Sequence, residues 1–259
     1  MLKGFIAMMC ALCLIGHADS AERAKQPRRL LYVVQTKGYH HASTEPSIPA
    51  VMTLGRTSGA FTTTVTDDAS VITADMLKDY DAVMFFTSGK LPMDEPQKKA
   101  LMDFIKSGKG FIGIHSATDT FNDWPEYGEM IGGYFDGHPW SQEVTVRVED
   151  PRFPGMNFLG KSFPFKEEVY QYRNWSRDKV HVLLSMDNSS VDISRGKRAD
   201  KDYAMAWCKK HGRGRVLFNG LGHMPEAWKD PRLLKMMFDG IRWAMGDLPD
   251  RVPIEEPSK

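Results

Sequence analysis

Apolar residues in the first half of the chain fall into two kinds of stretch, set in alternation. RRLLYVVQT (from Arg28), FTTTVTDD (from Phe61), DAVMFFTS (Asp81 to Ser88) and GFIGIH (Gly110 to His115) are short, β-branched or aromatic runs that predict strands. The segments between them have helical spacing. EPSIPAVMTLGRT comes after Ser43 and Thr44, either of which can cap a helix with Pro46 in its first turn. TADMLKDY predicts a short helix, and MDEPQKKALMDFIKSGKG an amphipathic one that stops at glycines. Strands buried on both faces with helical crossovers imply a parallel sheet. The second half reads differently. QEVTVRVED, FKEEVYQYRN, KVHVLLSMD, YAMAWCKK and GRVLFNGLG predict further strands, the first with one solvated face. DPRLLKMMFDGIRWAMG closes the pattern as an amphipathic helix, capped by Asp230 and stopped by Gly246. SSVDISRGKRADKD is a charged, irregular insertion, and no repeat or linker divides the chain. The expectation is an α/β fold with a mostly parallel sheet and antiparallel additions in the second half.

Residues 1–20 stand outside that pattern. Lys3, an apolar run from Gly4 to Gly16 and the small residues Ala18 and Ser20 have the form of a secretory signal cleaved after Ser20. That leaves 21–259 as a single domain, with a periplasmic or secreted location. Cleavage would remove Cys10 and Cys13 and leave Cys208, which excludes an intramolecular disulfide and reads as a core residue. The formal net charge of +1 gives no reason to expect nucleic acid or an anionic membrane surface as partner.

Ligands of open α/β sheets gather at the carboxyl ends of the strands. His40 and His41 stand after the first predicted strand, and Thr87, Ser88 and Gly89 after the third. His115, Ser116, Thr118 and Asp119 stand after the fourth, and His223 and Glu226 after the late GRVLFNGLG. The glycine-rich GGYFDGHPW adds Asp136, His138 and Trp140. A histidine that ends a buried strand, as His115 does, loses solvation and needs a partner. His138 suits either a site or turn packing, and His40 and His41 suit a solvated loop equally well. His181 alternates within a strand and is expected to face solvent, while His211 sits in a turn as a structural residue. EEVY sets Glu168 and Tyr170 on one face at period two. No HExxH, CxxC, GxGxxG or GxSxG occurs. Dispersed histidines can still converge on a divalent metal, and His41, His115, His138 and His223 are the candidates.

TKGYHHASTEPSIPA, GKGFIGIHSATDTFNDWPEYGEMIGGYFDGHP, FKEEVYQYRNWSRDKVHVLLSMD and AWCKKHGRGRVLFNGLGHMPEAW together resemble the ThuA-like (trehalose-utilisation) family. That family is similar in fold to class I glutamine amidotransferases, which implies a flavodoxin-like three-layer arrangement. In amidotransferases the fourth strand ends in Gly-Ile-Cys, and here the place reads Gly113-Ile114-His115. The nucleophilic thiol is therefore missing, and an imidazole forms no stable thioester. His223 and Glu226 fall where those enzymes carry a late His and Glu. The resemblance implies catabolism of carbohydrates through 3-keto-glycosides, made by a partner sugar oxidoreductase and cleaved by elimination or hydrolysis. It implies His115 as base or ligand, with His41, His138 and His223 around it. It also implies Ser116, Asp119, Glu168 and Tyr170 as sugar-binding groups, and Trp124 or Trp140 as a stacking surface. The alternatives are a sugar-binding accessory protein without turnover and a metal-dependent hydrolase of another substrate.

Overall fold

The computed structural model describes residues 26–250, so the signal-like segment lies outside the described residues. The elements begin β1 (Arg28–Val33), α1 (Thr44–Ser58), β2 (Phe61–Thr66), α2 (Ala74–Leu77), β3 (Ala82–Phe85), α3 (Glu95–Lys106) and β4 (Gly110–Ile114). They continue with α4 (Pro125–Ile131), β5 (Tyr134–Phe135), β6 (Trp140–Val148), β7 (Ser162–Val169), β8 (Tyr172–Arg173) and β9 (His181–Met186). β10 (Ala204–His211), β11 (Gly214–Asn219) and α5 (Pro231–Ala244) complete them. The boundaries have local causes. Asp94 and Gln97 form a reciprocal capping box at the start of α3, and the Asp230 carboxylate accepts from Arg232 N to cap α5. α1 ends where Gly59 takes φ 66°.

Nine strands make one sheet in the order β2-β1-β3-β4-β11-β10-β9-β6-β7. The first five run parallel. Every later neighbour pair is antiparallel. β11 thus differs from the other late strands, because it returns to the centre beside β4. Successive residues of the central strands face opposite sides. Leu30, Tyr32, Met84, Ile112 and Ile114 join the core beneath α1 and α5. Leu31, Val33, Val83, Phe85 and Phe111 join the core beneath α3 and α4. Helices therefore cover both faces, as a doubly wound sheet requires.

Four antiparallel pairings separate β11 from β7 along the sheet, with β10, β9 and β6 running down, up and down between them. β7 therefore points the same way as β4 and β11, and its carboxyl end shares their edge. That topological fact brings Glu168 to the histidines.

The expectation for His181 is corrected. His181 does not face open solvent: its Nε2 lies 3.0 Å from Asp150 Oδ2, and Asp150 is buried. The irregular segment after Asp187 contains two single turns, each held by an aspartate (Asp187 or Asp192) accepting from a serine N–H two residues on.

α4 packs closely because Gly128 lets the Tyr134 ring approach. A Cβ added at Gly128 would lie 2.2 Å from that ring, and the Gly128 N–H donates to the Tyr134 hydroxyl at 3.2 Å. Gly128→Ala is expected to cost about 1–3 kcal/mol, the range for overpacking a filled core. Urea denaturation would check it, and an unchanged midpoint would remove this account of the contact.

Candidate functional site

His115 begins the turn after β4, and its φ of 42° is rare for a side-chain-bearing residue. The left-handed turn carries the imidazole off the sheet edge while keeping it fully buried. Its Nδ1 lies 2.9 Å from the Gly220 carbonyl oxygen, just past β11. A carbonyl only accepts, so Nδ1 carries the proton and Nε2 of the neutral ring presents a lone pair. That lone pair points at His223 Nδ1, 3.1 Å away, and at Glu168 Oε2, 3.5 Å away. His223 Nδ1 is itself 3.2 Å from Glu168 Oε2. The His41 ring closes the group, 4.8 Å from the His115 centroid and 5.3 Å from that of His223.

The four side chains His41, His115, Glu168 and His223 offer ligand atoms that all lie within 4.8 Å of one another. A tetrahedral metal with bonds of about 2.0–2.1 Å sets its ligands about 3.4 Å apart. The 3.1, 3.2 and 3.5 Å separations among His115, His223 and Glu168 match that edge length. Three imidazoles and one carboxylate suit a divalent first-row transition metal. Two acceptor lone pairs on His115 Nε2 and Glu168 Oε2 converge on one point, which calls for a cation or a proton there.

The electrostatics agree with such a point. Burial pushes the Glu168 carboxyl up, but the adjoining imidazoles of His115 and His223 outweigh it and hold the group well below the carboxylate range. Burial pulls His223 down, and the Glu168 hydrogen bond and charge more than reverse it, so His223 is raised. Burial, then the neighbouring imidazoles of His115 and His223, pull His41 down to about 3. His41 is therefore a neutral ring, ready to donate a lone pair.

His138 sits apart from the four. Its side chain is 51% exposed, at the rim, with Nδ1 3.3 Å from Glu168 Oε1. Glu168 thus divides its two oxygens between the buried cluster and the rim imidazole. Gly137 (φ 109°) makes the bend before His138, and Gln171 pins that loop. Gln171 N donates to Gly137 O at 2.9 Å, and its amide donates to Asp136 O at 3.0 Å. Tyr170 walls the site, its ring 4.3 Å from His115 and 4.4 Å from Phe135.

Glu167, which the strand pattern did not single out, proves central to this assembly. It is fully buried, and its carboxylate accepts from Gly222 N at 2.7 Å, Glu168 N at 2.9 Å and His223 N at 3.1 Å. One side chain therefore ties the end of β7 to the loop after β11. The signal was present in SFPFKEEV: Phe163, Phe165, Glu167 and Val169 alternate as the buried face of β7, so a carboxylate occupies an apolar stripe.

The remaining candidates separate. Ser116 is buried in the turn after β4. Asp119 accepts from the Asn122 amide at 3.0 Å and exerts its charge on Tyr170. Trp124 packs between Tyr127, Phe121 and Lys98. Trp140 is fully buried, its indole donating to Asp192 O at 3.0 Å, so it presents no ring face to a sugar. His40 stays on the surface beside Glu45, 2.9 Å away, and Glu226 is exposed; the carboxylate beside His223 is Glu168. Cys208 is buried in β10 and burial pushes its thiol well up, so no reactive thiol is found among the described residues.

The family described as ThuA, trehalose utilisation, matches residues 29–244. Among solved structures, a thua-like protein from Bacteroides uniformis is 24% identical with a TM-score of 0.71, over 87% of this chain and 94% of its own. A thua-like protein from Parabacteroides merdae is 15% identical with a TM-score of 0.67, over 88% of this chain and 95% of its own. A β-galactosidase from Bacillus circulans sp. alkalophilus matches in fold at 11% identity and TM-score 0.51, over 83% of this chain and 31% of its own. No match is found among curated proteins.

Proposed function

The chain belongs to the ThuA, trehalose-utilisation family, and from that premise we propose that it cleaves glycosides bearing a ketone at C3, by base-assisted elimination at a divalent metal. The convergence of His41, His115, Glu168 and His223 within 4.8 Å, with His138 alone at the rim, carries this reading.

A 3-ketone acidifies the proton on C2, so a modest base can remove it. His138 is placed to be that base. Its Nδ1 faces Glu168 Oε1, which fixes the proton on Nδ1 and leaves Nε2 free with a lone pair toward solvent and substrate. The C2 proton passes to His138 Nε2, the C2 electrons form the C1–C2 double bond, and the C1–oxygen bond breaks. The same proton then reaches the departing oxygen, so an enone and a free alcohol result and no water is consumed. A bound metal would polarise the ketone and stabilise the enediolate that forms. His41, His115, Glu168 and His223 would hold it. Tyr170 closes the apolar wall of the site, and Asp119 lies near enough to bear on it electrostatically.

Purified without chelator, the protein is expected to carry about one divalent metal per chain. It should release a chromogenic alcohol from a 3-keto-glucoside and leave the plain glucoside untouched, and chelation should abolish release. Release from the plain glucoside at an equal rate would sink the elimination chemistry. Saturable sugar binding without product would support an accessory role instead.

A further inference from the structure

One cavity lies away from the histidines. It measures about 740 Å³, within the range of small-molecule sites. It runs beside α4, between that helix and the ends of β8 and β10. The ribbon of β5 and β8 divides it from the histidine cluster. Tyr134 pairs with Arg173 and Phe135 with Tyr172 across this ribbon, and adjacent residues face opposite ways. Phe135 stacks on the His138 ring, while Tyr134 and Arg173 line the cavity.

The charges lining this cavity are unbalanced. Arg173, Lys179 and Lys209 all face it, and none makes an ion pair with a carboxylate among the described residues. Arg173 lies over the Tyr134 ring at 4.5 Å and donates to Asn122 Oδ1 at 2.7 Å. Lys209 donates to the Glu129 carbonyl at 2.6 Å. Of the two acidic residues lining it, Asp123 is paired with Lys90 at 2.6 Å and Glu129, exposed, acts on Lys209 through its charge, which leaves the cations in excess. His211 adds a buried Nε2 with no hydrogen-bond partner among the described residues. Three cations without ion partners and one unsatisfied imidazole nitrogen, gathered around an empty volume, have the chemistry of an anion site.

We propose that this cavity binds a small molecule carrying an oxyanion, a phosphate ester or a carboxylate. Arg173 would supply the planar fork, Lys179 and Lys209 the point charges, and Tyr134 an aromatic floor. The site is separate from the histidine cluster and does not depend on the reaction assigned there.

Calorimetric titration of the full chain with glucose 6-phosphate and with glucuronate, beside neutral glucose, tests this. At least one anion is expected to bind one per chain with Kd near or below about 1 mM, more weakly as salt rises. Which of the two binds identifies the oxyanion. Lys179 is exposed and its ammonium makes no hydrogen bond among the described residues, so Lys179→Glu should fold normally and weaken binding about fivefold or more. Arg173→Met should weaken it further, and Lys179→Glu should leave turnover of the 3-keto-glucoside unchanged. If neither anion binds saturably, or if both variants bind like the unaltered chain, the proposal is overturned.

Discussion

Replacing His115 with alanine is expected to lower kcat/KM on a 3-keto-glucoside by about 10³-fold, the scale for losing one group that polarises or transfers a proton. The same change should release the metal. His115 Nε2 is a fully buried ligand atom within 3.5 Å of both His223 and Glu168, and its tautomer is fixed from behind by the Gly220 carbonyl. His138→Ala supplies the contrast. It is half exposed and outside the four-donor group, so it should lower kcat by about 10²-fold with the metal retained. Metal content and turnover, measured on both variants, separate a ligand from a base. Metal retained in His115→Ala, or lost in His138→Ala, would reverse the two assignments. A melting curve on each variant guards against misfolding, since His115 packs against Tyr170 and Phe86.

The fold was legible because its central strands are written as uninterrupted apolar runs. DAVMFFTS and GFIGIH are buried on both faces, and their shortness and flanking turn residues mark them as strands. Strand order was not legible to the same degree. Nothing local in GRVLFNGLG says that β11 inserts beside β4 while its hairpin neighbour β10 starts the antiparallel half. The site divides in the same way. His115 and His223 could be placed from strand ends alone, and the resemblance preferred His41 to His40. The structure gives that preference a physical form, with His41 buried beside His115 and His40 on the surface. Glu168 and Tyr170 were noticed as a pair on one face, but the pattern could not show that a strand four places from β11 along the sheet turns its end to the histidines. Trp140 misled for a related reason. Its indole comes after a glycine-rich loop, where exposure is common, yet it starts β6 and is covered by Tyr203. An aromatic side chain at a loop-to-strand junction carries no local mark of which side it takes.

Glu167→Gln is expected to be the most damaging conservative change in the molecule. The carboxylate accepts three backbone N–H groups, from Glu168, Gly222 and His223, and Glu167 is fully buried. Burial pushes its pKa up, and the imidazole of His115 and these N–H donors oppose that rise. Glutamine has the same length but turns one acceptor into an NH₂, which must then face an N–H donor. At least one buried donor is left without an acceptor, at about 1–3 kcal/mol. For a domain of this size each kcal/mol corresponds to about 2–4 °C in Tm, so a fall of several degrees is expected. The functional effect should exceed what the lost stability explains. Glu167 sets the backbone that carries both Glu168 and His223, so metal affinity should fall even well below the transition. Measuring metal Kd and Tm together decides the point. A lower Tm with unchanged metal affinity would make Glu167 a core residue that merely lies near the site. A loss of affinity out of proportion to the change in Tm would identify it as the group that holds two ligands in register.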